Sequence, residues 1–360
     1  MKLLNPGPVS LSPSVRNALL GEDLCHHEVE YRELLADVRL QLLNIYTGAI
    51  ESYEALILTG SGSAAVESML NSLAPLNSKT LIICNGVYGE RMLQMMTRMR
   101  RPVIAWQGQW GQAINLTELE TLLENNGDIT HLAMVHHETT TGRLNDVASV
   151  AALCERYDVE LFLDAVSSFA GEVIDFEAWR PLAVAASANK CLHGVPGISF
   201  VMTKKIVLVE QESKATSLYL DLFEYAKAQI KDFSPFTPAI QVLYALRVAL
   251  EELQQQGGWQ VRNQHYQDLS DQLRDCLEEI GAQLLLPRES YCSMLTSILL
   301  PTGFSYEKLH DLFKSKGFVI YAGQKNLSNK IYRLALMGDL VRSDLEQLCQ
   351  IIREEVYRHD

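Results

Sequence analysis

The chain has no apolar run near the roughly 18 residues that a membrane-spanning helix needs, so no membrane span is expected. It has no CxxC pair, and its seven cysteines are scattered and odd in number, as reduced thiols of a cytoplasmic protein would be. It has no basic stretch: 31 Lys and Arg face 44 Asp and Glu, a net charge of −13 that disfavours nucleic acid and anionic membrane as partners. It has no apolar core of a secretion signal, because Met1-Lys2-Leu3-Leu4 runs at once into Asn5-Pro6-Gly7-Pro8. Internal repeats and low-complexity segments are missing too. What remains, at 360 residues with 48% hydrophobic side chains, is an ordinary globular chain long enough for two domains.

The prolines of Asn5-Pro6-Gly7-Pro8 force an extended segment, which reads as a linker or an arm over residues 1–15. A one-sided helix follows from Tyr31 to Tyr46. From Ala55 short apolar strands alternate with helices: 56–59, 80–84, 132–135, 160–164, 183–187 and 198–202 are the expected strands. Continuous apolar strands with helices between them predict an α/β domain over 16–250, a mostly parallel sheet covered on both faces. After residue 250 a long polar helix, interrupted near Gly257-Gly258, leads to short strands and helices, a smaller α+β domain over 251–360.

The chemistry gathers where those strands end. Lys190 stands in Ser187-Ala188-Asn189-Lys190-Cys191, between two apolar strands, and burial lowers a lysine toward the nucleophilic neutral amine. Gly60-Ser61-Gly62-Ser63 joins a strand to a helix, either a plain turn or a phosphate site of backbone amides and hydroxyls. The next strand ends in Cys84-Asn85-Gly86 without the carboxylate a dinucleotide ribose needs, so a monophosphate fits better. Tyr88, between Gly86 and Gly89, offers a ring for stacking or is a common turn tyrosine. Asp164 closes a buried strand and needs a cation or donors, and a salt bridge or a helix cap would also serve. His136, His137 and Glu138 contain metal-ligand types, but neighbours on an extended segment face opposite ways, so no metal is expected. The hydroxyls of Thr139 and Thr140 suit a cofactor's phenolic oxygen better. Arg333, inside the apolar run Ile331-Tyr332-Arg333-Leu334-Ala335, calls for a substrate anion or an internal carboxylate.

This order of phosphate loop, ring, hydroxyl loop, strand-end Asp and strand-end Lys resembles the fold-type I, class V aminotransferases, whose cofactor is pyridoxal 5′-phosphate (PLP). The resemblance runs from Asn5-Pro6-Gly7-Pro8 to Arg333. Ser187-Ala188-Asn189-Lys190-Cys191 and Thr139-Thr140-Thr141 make it most similar to the 2-aminoethylphosphonate–pyruvate transaminase family, ahead of the alanine–glyoxylate and serine–pyruvate families. It implies that Lys190 carries PLP and then shuttles the substrate proton, and that Asp164 keeps the pyridine nitrogen protonated. Tyr88 would stack on the ring, and Thr139 or Thr140 would bond its phenolic oxygen. Ser61, Gly62 and Ser63 would hold the phosphate with Asn189 beside it. Thr237, in Phe236-Thr237-Pro238, would reach the neighbouring subunit's phosphate in a homodimer, and Arg333 would grip the substrate's acidic group. Partners would be an amino donor and a 2-oxo acid acceptor.

Two stretches depart from the family pattern. They are Leu24-Cys25-His26-His27-Glu28-Val29-Glu30-Tyr31, near the expected substrate entrance, and Leu334-Ala335-Leu336-Met337-Gly338, closer to the alanine–glyoxylate type. Both bear on the amino donor, which leaves an alanine, serine or related amino-phosphonate donor as the alternative. A lyase or cysteine desulfurase on this fold would need a cysteine on a flexible loop. Cys292 and Cys349 fall in a strand-like stretch and a helix instead.

Overall fold

The computed structural model describes residues 1–357. A seven-stranded sheet crosses the larger part of the molecule. Its strands are β1 (Tyr53–Thr59), β2 (Lys79–Cys84), β3 (Val103–Gln107), β4 (Ile129–Val135), β5 (Glu160–Asp164), β6 (Ala183–Ser187) and β7 (Ile198–Lys204). Their order across the sheet is β1-β7-β6-β5-β4-β2-β3. Only β7 runs antiparallel to its neighbours. The expected mostly parallel α/β sheet is what forms. β7 reverses because residues 188–197 contain no helix to carry the chain back across the sheet, which a parallel return requires.

Alternation along the strands explains why they read as unbroken apolar runs. Leu81, Ile83, Leu132, Met134, Leu161 and Leu163 point into one core, which Leu35, Val38 and Leu42 of helix Val29–Leu43 share. Ile82, Cys84, Ala133, Val135 and Phe162 point into the other, which they share with Ala65, Val66, Met69 and Leu73 of helix Gly62–Leu73 and Met92 and Met96 of helix Val87–Arg98. Two buried faces leave no polar side to alternate with.

The polar stretch after residue 100 holds two elements that its composition hides. β3 is the sheet edge, so only one side of it is paired, and most of it is half-buried. Helix Leu116–Asn125 follows, with the Asn115 side chain accepting the Glu118 N–H as its cap.

Helix Ile240–Gln255 ends at Gly257, whose φ of +99° suits glycine, and helix Gly258–Glu279 starts there. Beyond lies a three-stranded antiparallel sheet in the order Leu295–Leu299, Ile331–Ala335, Tyr321–Ala322. It has its own core of Leu273, Leu277, Ile298, Phe313, Tyr332 and Leu345. Leu4 belongs to that core. Lys2–Leu3 pairs in parallel with Phe318–Val319, and the Ala335 N–H donates to the Leu4 carbonyl (2.8 Å). The first residues of the chain are thus strapped to its last third. No helix among the described residues is long and apolar enough to cross a membrane.

Candidate active site

β1, β2, β4, β5 and β6 end on one rim, the side of an open parallel sheet where ligands sit. The loops leaving them carry the residues singled out above, apart from Thr237 and Arg333. Lys190 stands at the tip of the loop between β6 and β7. The Ala188 N–H donates to the Ile198 carbonyl (3.1 Å), Gly194 to Ala188 (2.8 Å) and His193 to Lys190 (2.9 Å), which fixes the loop. Burial pulls the Lys190 amine down to about 8. The Arg333 and Arg91 charges push the same way, while Cys191 and Asp164 oppose them.

The amine donates to the carbonyl of Pro6, so the N-terminal segment covers it. Gly7 makes this approach possible. Its φ is +115°, and a methyl group there would stand 2.5–2.8 Å from the end of the Lys190 side chain. Replacing Gly7 with alanine is expected to lower kcat by up to about a hundredfold, because an ångström of misplacement at the reacting group costs that much. Steady-state kinetics beside a thermal melt check it. An unchanged kcat in a folded variant would show that the segment does not set the lysine's position.

Asp164, at the end of β5, is buried and accepts the Val166 N–H (3.0 Å). Burial pushes its carboxyl up to about 6, against that bond and the charges of Arg91 and Lys190. Among the described residues it has no ion-pair partner, so the salt-bridge reading falls away. His136 and His137 diverge, as neighbours on an extended segment must. His136 meets the Trp179 ring edge-on at 5.6 Å. His137 donates through Nδ1 to the Ser167 carbonyl (3.2 Å) and accepts from the Cys292 thiol (3.0 Å). Among the described residues no three His, Cys, Asp or Glu converge on a common point.

The two threonines are not equivalent. The Thr140 hydroxyl is committed, donating to Glu138 (2.6 Å) and accepting the Val87 N–H (3.0 Å). The Thr139 hydroxyl is buried without any partner, a cost unless something supplies one. The Thr139 carbonyl accepts from Arg333 Nη1 (2.5 Å). Glu138 is buried and takes the Thr140 and Tyr88 N–H groups (3.1 and 3.3 Å) as well. Burial still pushes its carboxyl up to about 7.

Ser61 occupies the cap position of helix Gly62–Leu73 with an extended backbone, yet its hydroxyl makes no cap bond. The N–H groups of Gly62 and Ser63 open that first turn, where a helix leaves its amides without intrahelical partners and its dipole favours an anion. Tyr88 sits in the first turn of helix Val87–Arg98. Asn189 is half-buried beside Lys190. Thr237 stands apart and exposed, near Tyr219, whose hydroxyl donates to the Thr59 carbonyl (2.9 Å). Leu218 beside it is 69% exposed.

Arg333 is 0% exposed and has no carboxylate partner among the described residues. Its fork is held by the Ala322 carbonyl (2.9 and 2.6 Å) and Thr139, and it lies 4.8 Å from the centre of the Tyr321 ring. Carbonyls orient a guanidinium without neutralising it. The internal-carboxylate alternative is therefore closed.

Three features escaped sequence reasoning. The approach of Pro6 and Gly7 to Lys190 spans almost the whole sheet in sequence, and only a glycine between two prolines hinted at it. Glu138 was weighed only as a metal-ligand type, and its bonds to Thr140 and the Tyr88 N–H were not foreseen. Arg91 went unremarked, three residues after Tyr88 and so on the same helix face.

Residues 22–346 match the family model described as Aminotransferase class-V. The 2-aminoethylphosphonate–pyruvate transaminase of Bacillus cytotoxicus is 35% identical over 98% of this chain and 97% of its own length. Among solved structures, an alanine–glyoxylate aminotransferase from Nostoc sp. superposes with a TM-score of 0.91 at 27% identity, covering 99% of this chain and 95% of that one. A subgroup IV aspartate aminotransferase from Thermus thermophilus does so with 0.89 at 28%, covering 98% of each.

Proposed function

The chain belongs to the class V aminotransferases, and on that premise we propose that it moves the amino group of 2-aminoethylphosphonate to pyruvate, giving phosphonoacetaldehyde and L-alanine with PLP as cofactor. The residues present suit that cofactor. A buried, unpartnered Thr139 hydroxyl, an uncapped helix N-terminus at Ser61 and a buried Asp164 without a cation are the three needs a phenolic oxygen, a phosphate and a protonated pyridine would meet. When bound, PLP supplies an electrophilic carbonyl and an electron sink.

The chain's own residues do the rest. Lys190 would hold the cofactor, and its amine would carry the proton taken from the carbon that bears the amino group. An amine near 8 is matched to that task at neutral pH. Asp164 holds positive charge at the ring nitrogen, Tyr88 supports the ring face, and Thr139 binds the phenolic oxygen, with Thr140 holding the loop behind it. Ser61, Gly62 and Ser63 bind the phosphate, with Asn189 alongside.

Substrate recognition rests on one observation, the fully buried Arg333 with carbonyl partners only. Its planar fork binds the phosphonate of the donor and the carboxylate of the acceptor in turn. The exposed Leu218 and Tyr219 beside Thr237 suit burial against a second copy, with Thr237 serving the other subunit's phosphate in a cytoplasmic homodimer.

The test loads the protein with PLP and mixes it in single turnover with one donor at a time, following the cofactor's visible absorbance. 2-Aminoethylphosphonate is expected to bleach it at least about tenfold faster than alanine or serine, the span of a single good polar contact. The reverse order would make the chain an alanine–glyoxylate or serine–pyruvate aminotransferase with the same lysine chemistry.

A further inference from the structure

The phosphate loop Gly60-Ser61-Gly62-Ser63 contains no cation. A phosphate monoester is close to a dianion at neutral pH, and a helix N-terminus offers the equivalent of only about half a positive charge. Somewhere near that loop the fold has to supply the balance, or forgo binding strength.

Arg91 is placed to do so. It projects from the first turns of helix Val87–Arg98, and its Nη1 lies 3.1 Å from the Ser63 hydroxyl. Its guanidinium sits 4.7 Å from the centre of the Tyr88 ring, one helical turn earlier, which fixes its plane and direction. No carboxylate pairs with it among the described residues. Exposed arginines such as Arg156 and Arg180 differ, since they pair with Glu120 and Glu155. Arg91 is half-buried, and its charge bears on both Asp164 and Lys190. Its role also differs from that of Arg333, which is locked to the small sheet by the Ala322 carbonyl.

We propose that Arg91 is the cationic anchor of the cofactor's phosphate, held in place by the Tyr88 ring and acting across the Ser63 hydroxyl. The inference rests on the PLP reading above. Tyr88 and Arg91 form one unit: the ring that supports the cofactor's flat face also aims the charge that holds its tail. The Gly86-Val87-Tyr88-Gly89-Glu90-Arg91 segment then recognises both ends of the ligand from a single helical turn.

The experiment compares PLP with pyridoxal, which lacks the phosphate. Wild-type protein and the variants Arg91→Gln and Arg91→Lys are stripped of cofactor and titrated with each, reading quenching of intrinsic fluorescence and the visible band of bound ligand. In Arg91→Gln, PLP affinity is expected to fall about ten- to a hundredfold, the range for one charge-assisted hydrogen bond, with pyridoxal affinity unchanged. Arg91→Lys, which keeps the charge and loses the fork, should fall between and keeps the test open if the glutamine variant does not fold. Equal losses for both ligands would mean that Arg91 acts only by propping Tyr88 and would overturn the proposal, as would no loss for either. Failure of the wild-type protein to take up PLP would instead remove the cofactor reading itself.

Discussion

Replacing Lys190 with alanine is expected to lower kcat by more than about 10⁴-fold, since the proposed function asks one amine to act both as nucleophile toward the cofactor and as the proton carrier. The side chain is half-buried at the tip of a loop that its own backbone bonds fix, so folding should survive and the melting temperature stay near that of the wild type. Rapid-mixing absorbance with PLP and 2-aminoethylphosphonate measures the loss. Partial rescue by a small added amine would separate the proton-carrying role from simple damage. A variant that kept turnover within about tenfold of wild type would remove Lys190 from the chemistry altogether.

Replacing Asp164 with asparagine should cost on the order of 10²- to 10³-fold in kcat, the scale of losing one preorganised electrostatic partner in a dry site. Asparagine keeps the shape and the bond from the Val166 N–H but removes the charge. On the function proposed above, that charge is what would hold the ring nitrogen protonated. Steady-state kinetics in the PLP-loaded variant, with the cofactor content measured alongside, distinguish lost chemistry from lost binding. Full activity in a loaded variant would mean that the carboxylate has another purpose.

The α/β architecture was legible because both faces of the sheet are buried. Strands such as Leu161-Phe162-Leu163 feed two cores at once and leave an unmistakable apolar run. β3 was hidden for the opposite reason. An edge strand has one unpaired side and needs no such run, and Val103, Ile104 and Ala105 are only half-buried. Lys190, Asp164, Tyr88 and the Ser61 loop could be singled out because each follows a strand, and strand ends in a parallel sheet share a rim. Contacts across the sequence had no such rule. Nothing local says that Pro6 meets Lys190 or that Arg91 reaches back to Ser63. The division of labour between Thr139 and Thr140 depends on Glu138, whose inward turn needs the room that Gly86 leaves beside it.

The strap formed by Lys2, Leu3 and Leu4 has a consequence for the order in which the molecule can be finished. Its partners, Phe318, Val319 and Ala335, leave the ribosome some three hundred residues after it, at roughly 5–20 residues per second. Until they do, Pro6 and Gly7 are held from one side only, through Ser12 and Val15 on helix Ile240–Gln255. The seven-stranded sheet can form while the last third of the chain is still being made, but the cover over Lys190 is secured from both sides only once Phe318, Val319 and Ala335 are in place.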